Sequence, residues 1–283
     1  MARFTNQAQL SYSNGVTNSN VAVGEILEVL SATKVAVDDS YMQYESITYV
    51  ISLVNSGNTP LTGLTITDNL GSYEWNTATL VPLEYVKDSI LYYTNGTLQL
   101  TPSVTSESPL TITGISVPAN GNAQIIYQVT TNQFAPLDTD GVITNQAIIS
   151  GGGITAITVT ESVNADSEPL LNITKSISPV PVTENGTLTY TFLIQNTGNT
   201  AADVSDAIIV SDTFNPILRN LSVTFNGTAW TEGTQYTYNT TTGLFQTVAG
   251  AITVPAATYT RDETTGAWLI TPGTSTLVIS GTV

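Results

Sequence analysis

Apolar and polar residues alternate in two widely separated parts of the chain, residues 47–53 and 188–194. A period of two with one apolar face predicts β-strands that are buried on one side. Each run leads into the same polar turn, Asn55-Ser56-Gly57-Asn58-Thr59 in the first case and Asn196-Thr197-Gly198-Asn199-Thr200 in the second. The pattern therefore predicts two related β-sandwich modules rather than helices.

The match between the two regions extends on both sides of these strands. Lys34 and Lys175 stand at the same distance before Asn55 and Asn196. After the turn, each copy continues into an apolar segment that closes on an aspartate, at Asp68 in the first copy and Asp212 in the second. Self-similarity of this kind indicates two copies of one structural unit.

The boundary of the repeat is shifted along the chain. The first copy ends in a strand at residues 143–150, whereas the second copy reaches no such strand. A matching segment stands at the start instead, Phe4-Thr5-Asn6-Gln7-Ala8-Gln9-Leu10-Ser11. We therefore predict three parts: an N-terminal donor segment (1–25), a complete sandwich (26–165) and a sandwich that lacks its last strand (166–283).

A sandwich without its closing strand exposes unpaired backbone groups and an apolar groove, which favours strand addition from elsewhere. If the first domain keeps the donor segment away from the second, the donor comes from the next subunit. Such a head-to-tail contact need not close into a ring, and it then generates a filament. The alternative is that residues 1–25 fold back onto their own second domain.

Composition narrows the possible chemistry. The 283 residues include no histidine and no cysteine, which excludes His-dependent triads, cysteine nucleophiles, disulfides and the usual zinc or copper sites. We predict no cofactor and no metal. The net charge of −16 argues against nucleic acid as a partner, and no apolar stretch is long enough for membrane insertion. The first residues have no apolar signal core, so we expect a mature N-terminus or a route other than general export.

The ordered motifs resemble the bacterial surface repeat family known as domain of unknown function 11. The residues that carry the resemblance are the lysines, the two Asn-x-Gly-Asn-Thr turns, the strands that end at Asp68 and Asp212, and Ile143-Thr144-Asn145-Gln146-Ala147. The resemblance implies an all-β fold of immunoglobulin-like sandwiches in extracellular fibres. It extends to subunits of clostridial spore appendages, which are assembled in the mother cell without a signal peptide.

The family also resembles pilin and adhesin domains with internal Lys–Asn isopeptide bonds. That resemblance implies a bond between Lys34 and Asn145 within the subunit. It implies a second bond between Lys175 and Asn6 of a neighbouring subunit. The reaction needs a neutral amine, which burial favours, and a buried carboxylic acid that shuttles protons. Asp68 and Asp212 are the candidate acids.

Other interpretations of these residues remain open at this stage. The lysines can form structural ion pairs with Asp68 and Asp212, and the asparagines can cap turns. Three further acids are alternatives to the two aspartates: Glu45, Glu184 and Asp206. The segment Asp138-Thr139-Asp140-Gly141 resembles the opening of a calcium loop but lacks the later ligands, and a polar turn is the more typical use.

Taken together, the sequence predicts a non-enzymatic structural subunit of an extracellular, cell-surface or spore-surface filament whose partner is another copy of itself. The alternative is a monomeric surface adhesin or a module that binds a carbohydrate or a protein. A hydrolase is disfavoured by the missing histidine and cysteine.

Overall fold

The structure, a computed structural model, describes residues 2–26 and 28–283. These residues form β-strands throughout, with one short 3-10 helix at Val204–Asp206. The prediction of an all-β fold is confirmed. Within the described part of the chain, no helix is long and apolar enough to cross a membrane. The chain divides into two compact units, the first containing residues 1–39, 44–132 and 143–163, and the second residues 40–43, 133–142 and 164–283.

The N-terminal segment is an antiparallel hairpin. It consists of β1 (Ala2–Asn6), β2 (Gln9–Tyr12), β3 (Gly15–Asn18) and β4 (Ala22–Ile26). β1 pairs with β4, and β2 pairs with β3. Nearly all of its described side chains are exposed, in contrast to those of the later strands of unit 1.

The first sheet of unit 1 has the strand order β13-β12-β16-β7-β5, with β11 also paired to β16. Its strands are β5 (Leu30–Ala36), β7 (Ser46–Asn55), β11 (Leu83–Tyr85), β12 (Leu91–Thr94), β13 (Thr97–Leu98) and β16 (Gly121–Thr131). β7 is the centre of the predicted alternating pattern. Its residues Ile47, Tyr49, Ile51 and Leu53 are fully buried on one face.

The second sheet of unit 1 has the order β14-β15-β8-β17-β18. Its strands are β8 (Leu61–Asp68), β14 (Ser103–Glu107), β15 (Leu110–Val117), β17 (Val142–Gly151) and β18 (Ile157–Ala165). Strands β9 (Tyr73–Trp75) and β10 (Ala78–Leu80) form a separate hairpin. The last two residues of β18, Asn164 and Ala165, belong to unit 2 and pair in parallel with β6 (Ser40–Tyr41) of the same unit. The inner faces of the two sheets of unit 1 enclose its core.

Unit 2 has one long sheet with the order β19-β20-β28-β22-β23 and a smaller one with the order β21-β25-β24. The long sheet contains β19 (Leu171–Ser178), β20 (Thr187–Asn196), β22 (Arg219–Phe225), β23 (Thr228–Ala229) and β28 (Gly273–Thr282). The smaller sheet contains β21 (Ser211–Thr213), β24 (Tyr236–Tyr238) and β25 (Leu244–Thr247). A separate pair is formed by β26 (Thr258–Arg261) and β27 (Trp268–Thr271). The core of unit 2 is built around Phe192, Phe214, Phe245 and Ile279.

The repeated asparagine turns have the same local structure in both units. The side-chain oxygen of Asn55 accepts a hydrogen bond from the Gly57 amide at 2.9 Å, and its amide donates to the Thr59 carbonyl. Asn196 makes the equivalent bonds with Gly198 and Thr200. These asparagines therefore close the turn after the central strand, as short polar side chains commonly do.

Candidate lysine–asparagine cross-link sites

The first candidate site lies between the two sheets of unit 1. Lys34 projects inward from β5, and Asp68 is the last residue of β8 in the opposite sheet. The Lys34 Nζ and Asp68 Oδ2 atoms are 2.6 Å apart, and both side chains have no exposed surface. Burial of a charged pair is costly unless each charge is well partnered, so the other hydrogen bonds of these two groups matter.

Asp68 is held by donors from three directions. Its Oδ1 atom accepts a hydrogen bond from the Leu70 amide at 2.8 Å. Its Oδ2 atom accepts from Lys34 and also from the hydroxyl of Tyr127, which projects from β16. Charge-assisted hydrogen bonds of this kind are the strong ones, and they orient the carboxylate toward the lysine.

Asn145 reaches the same buried region from β17. Strand pairing places Ala147 opposite Asp68, so Asn145 lies just beyond the end of β8. Its Oδ1 atom accepts a hydrogen bond from the Gly71 amide at 3.2 Å, while its Nδ2 atom has no hydrogen-bond partner. A buried side-chain nitrogen that makes no hydrogen bond is destabilising by about 1–3 kcal/mol, which sets this asparagine apart from the two turn asparagines.

Burial shifts the titration of the groups at this site. The pKa of Lys34 is lowered because burial disfavours its charged form, and the nearby Asp68 carboxylate opposes this shift only in part. The pKa of Tyr127 is raised, chiefly by burial and then by Asp68. The Lys34 amine is therefore easier to deprotonate than an exposed lysine, which is what a nucleophilic amine requires.

Tyr49 completes the walls of the site. Its ring centroid is 4.6 Å from Lys34 Nζ and 5.8 Å from the ring of Tyr127. Burial raises the pKa of Tyr49, and the amide of Asn145 is close enough to offset part of that rise. The Tyr49 hydroxyl nevertheless makes no hydrogen bond of proper geometry. The structure thus gathers Lys34, Asp68 and Asn145 in one buried cluster with two tyrosines.

The second candidate site has the same lysine–aspartate pair in an open setting. Lys175, on β19, contacts Asp212, on β21, but their side chains are 40% and 19% exposed, against none for Lys34 and Asp68. Three aromatic rings surround the Lys175 ammonium group, with centroid distances of 4.4 Å to Tyr190, 5.4 Å to Phe192 and 5.6 Å to Phe214. Cation–π attraction holds the lysine in place while water still reaches it.

The exposure extends along the whole of β19. In unit 1 the matching strand buries Leu30 to 8% exposure beside Lys34. In unit 2 the residues on the equivalent face remain exposed, with 37% for Leu171, 47% for Ile173 and 44% for Ile177. Among the described residues of unit 2, no strand covers this face as β17 covers the one in unit 1.

The edge that would receive such a strand is also open. Asp68 ends an eight-residue strand that is paired on both sides, with β15 and β17. The equivalent residues before Asp212 form no strand, and Ile209 is 49% exposed. β21 itself is three residues long and lies at the edge of its sheet. Unit 2 therefore presents an unpaired edge next to an exposed apolar row.

The remaining predicted residues lie as follows. Asn6 is an exposed residue of β1 and pairs with Ala22 within the hairpin. Glu45 and Glu184 are exposed, and Asp206 accepts a hydrogen bond from the Asp203 amide in the cap of the 3-10 helix. The structure thus brings Asp68 and Asp212, rather than these three acids, to the lysines.

The aspartates at 138 and 140 lie in a turn closed by a hydrogen bond from the Gly141 amide to the Asp138 carbonyl. In the part of the chain that the structure describes, no group of three or more acidic side chains converges as metal ligands.

Sequence reasoning missed the two tyrosines of the first site, Tyr49 and Tyr127. Tyr49 could have been found, because Tyr190 occupies the same position in the second copy of the repeat. Tyr127 has no such signal. Strand pairing sets it opposite Tyr49 in unit 1, whereas Ile279 stands opposite Tyr190 in unit 2. The two sites therefore differ at the position that contacts the acid.

We expect replacement of Tyr127 by phenylalanine to slow cross-linking of Lys34, because Asp68 loses the donor that orients it. Removing one partner of a buried hydrogen bond also costs about 1–3 kcal/mol of stability. The full chain is produced as insoluble aggregates, dissolved in denaturant before it has folded, refolded by dilution and followed by intact mass over time. Tyr238→Phe is the control, since its hydroxyl donates to the Leu218 carbonyl within unit 2, whereas the Lys34 site lies in unit 1. Equal rates for both variants and the original chain would contradict a role for Tyr127.

Comparison with protein-family models gave no match, and no curated protein matches this chain. Among solved structures, a chain named BspA_C_WT is 12% identical, with 89% of this chain and 91% of that chain covered and a TM-score of 0.37. The pilus backbone RrgB of Streptococcus pneumoniae is 12% identical, with 86% and 55% covered and a TM-score of 0.35. BcpA, the major pilin subunit of Bacillus cereus, is 10% identical, with 96% and 73% covered and a TM-score of 0.35. Because each TM-score is below 0.5, we base the function on the chain's own residues.

Proposed function

We propose that this chain is a structural subunit of a self-assembling filament on a cell or spore surface. In this proposal the strand Phe4–Ser11 of one subunit completes unit 2 of the next, so that subunits join head to tail. The observation that carries the proposal is the open face of unit 2, where Lys175 and the apolar row of β19 stay exposed. Their counterparts on β5 of unit 1 are buried at Lys34 and Leu30 and half-buried at Ala32 and Ala36.

The N-terminal strand has the side chains that this face requires. It matches β17 in sequence, so that Asn6 corresponds to Asn145 and Leu10 to Ile149. In β17, Ile143, Asn145, Ala147 and Ile149 are all buried. In the N-terminal segment, Phe4 is 54% exposed and Leu10 is 64% exposed. The strand has an exposed apolar face, and the sandwich has a groove that no strand fills. Strand addition buries both surfaces and so stabilises both partners.

Covalent closure of both sites is part of the proposal. The Lys34 ammonium gives a proton to Asp68, and the neutral amine attacks the Asn145 carbonyl carbon. The protonated Asp68 then donates its proton to Nδ2, and the resulting carboxylate takes the second proton from the attacking nitrogen. The C–N bond of the primary amide breaks, the new amide forms, and ammonia leaves, carrying that second proton away as ammonium. The departing nitrogen, Nδ2 of Asn145, is buried without a hydrogen-bond partner, so its loss removes the free-energy cost of that missing bond.

The same chemistry at the joint uses Lys175, Asp212 and Asn6 of the neighbouring subunit. Donation of the strand would exclude water from Lys175 and bring an amide carbon to it, which are the two conditions that unit 1 meets by itself. The subunit's charge of −16 keeps filament sides mutually repulsive, while strand addition acts at short range and tolerates that repulsion.

Deletion of residues 1–12 is expected to abolish polymerisation and leave unit 1 folded. Electron microscopy and sedimentation measure assembly, and hydrogen exchange of β7 reports on unit 1. A monomeric adhesin that closes its own second unit would behave differently: the full chain would already be monomeric, and the deletion would unfold unit 2 with no change in assembly state. That result would overturn the filament proposal.

A further inference from the structure

We infer that the donated element is the whole N-terminal hairpin, β1 to β4, and not a single strand. This inference rests on the proposed function and specifies the partner surface at the same joint. It starts from unit 1, where β17 lies between β8 and β18. The Thr144 and Ser162 hydroxyls are 3.1 Å apart, so the two strands run side by side at the level of Asn145.

The second strand of that pair is part of the core. Val163 of β18 is fully buried, and Glu161 lies near enough to the site to act on the pKa of Lys34. Unit 1 thus needs two consecutive strands, β17 and β18, to close its second sheet. In the described residues of unit 2, neither strand has a counterpart, since β21 is the edge of its sheet.

The N-terminal segment reproduces this pair of strands. β1 and β2 carry the residues that match β17, and β3 and β4 return antiparallel beside them. The ring of Phe4 lies over Gly24, where a Cβ atom would come within 2.2 Å of it. An aromatic ring across a glycine of the neighbouring strand ties the two strands together, so the hairpin is already formed in the free subunit.

Exposed apolar side chains occur on both strands of the hairpin. Phe4 is 54% exposed and Leu10 is 64% exposed, whereas Val23 and Val16 pair with Thr5 and Ser11 and therefore lie on the other face. An isolated two-stranded hairpin is marginally stable in water and gains by joining a larger sheet. A single donated strand would also leave its outer edge unpaired along the filament, whereas a hairpin brings its own edge partner. The occupant that fits the open face of unit 2 is therefore the hairpin of a second copy of this chain.

Synthetic peptides test this inference on the full chain. One peptide contains residues 1–12, the single strand, and the other contains residues 1–26, the hairpin. A matched control is the longer peptide with Val16→Pro and Val23→Pro, which removes backbone donors from the second strand. Each is added to polymerising full-length subunits, and filament length is measured by electron microscopy.

The hairpin peptide is expected to halve filament length at a concentration about tenfold lower than the single strand, because it is preorganised. The proline control should need the same concentration as the single-strand peptide to halve filament length. Equal potency of the short and long peptides would overturn the hairpin inference and leave strand donation standing. Equal potency of the long peptide and its proline control would also overturn it, since chain length and not pairing would then matter. If no peptide shortens filaments, the proposed function itself fails.

Discussion

Replacing Asn6 or Lys175 by alanine is expected to convert multimers that survive boiling in detergent into monomers. Each variant removes one reacting group of the proposed joint. In the structure Asn6 is exposed on β1 and Lys175 is held beside Asp212, so neither change disturbs a buried core. The N-terminal strand can still add to unit 2 of the next subunit, but detergent separates subunits that no covalent bond joins.

Intact mass and gel mobility measure this result. The unmodified assembly should give a ladder of multimers with about 17 Da lost per link as ammonia leaves. Monomers of the two variants should still lack about 17 Da, because the bond between Lys34 and Asn145 forms within one subunit. Asn20→Ala and Lys87→Ala are matched controls that should leave the ladder intact. Monomers at full sequence mass from the original chain would exclude covalent bonds at both sites.

Replacing Asn145 or Lys34 by alanine is expected to cause the largest loss of stability in unit 1. Either change prevents a link between residues far apart in sequence, and a cross-link that closes a loop of this size contributes roughly 4–5 kcal/mol by the entropy of the unfolded chain. Lys34→Ala carries an additional cost. It leaves the Asp68 carboxylate buried without its cation, and breaking one partner of a buried pair costs about 3–5 kcal/mol.

A double variant distinguishes the effect of the lost cross-link from that of the unpaired Asp68 charge. Lys34→Met with Asp68→Leu removes both charges and fills the space with apolar atoms, so it should be more stable than Lys34→Met alone although it forms no cross-link. Denaturant unfolding followed by hydrogen exchange of β7 localises the effect to unit 1. If Asn145→Ala unfolds at the same denaturant concentration as the original chain, with the same mass apart from the substitution, the site is a structural ion pair and forms no bond.

Much of the architecture follows from local sequence. Alternation at residues 47–53 and 188–194 predicts β7 and β20 because side-chain direction in a strand has a period of two. The repeated asparagine turns and the lysine–aspartate positions are also visible, since the two copies preserve their order and spacing. The sequence also indicates that Phe4–Ser11 belongs to the same strand type as β17, because the two segments share their residues.

The sequence leaves the environments of those residues undetermined. Lys34 and Lys175 are equivalent in the repeat, yet one is fully buried and the other is 40% exposed, because burial depends on whether a distant strand covers the site. The contact from Tyr127 to Asp68 is a second example, since it joins β16 to β8 across the sandwich and has no counterpart in the second copy. The hairpin partner of the donor strand is a third, because β3 and β4 lack the clear resemblance that marks the first strand.

The sequence by itself thus determined the fold class, the repeat and the identity of the candidate reacting groups, which are properties of local pattern and residue type. Only the tertiary structure decided which lysine is desolvated, which acid it meets and which face is open. Those properties depend on the register of strands that are distant along the chain, and on which strands are present to cover them.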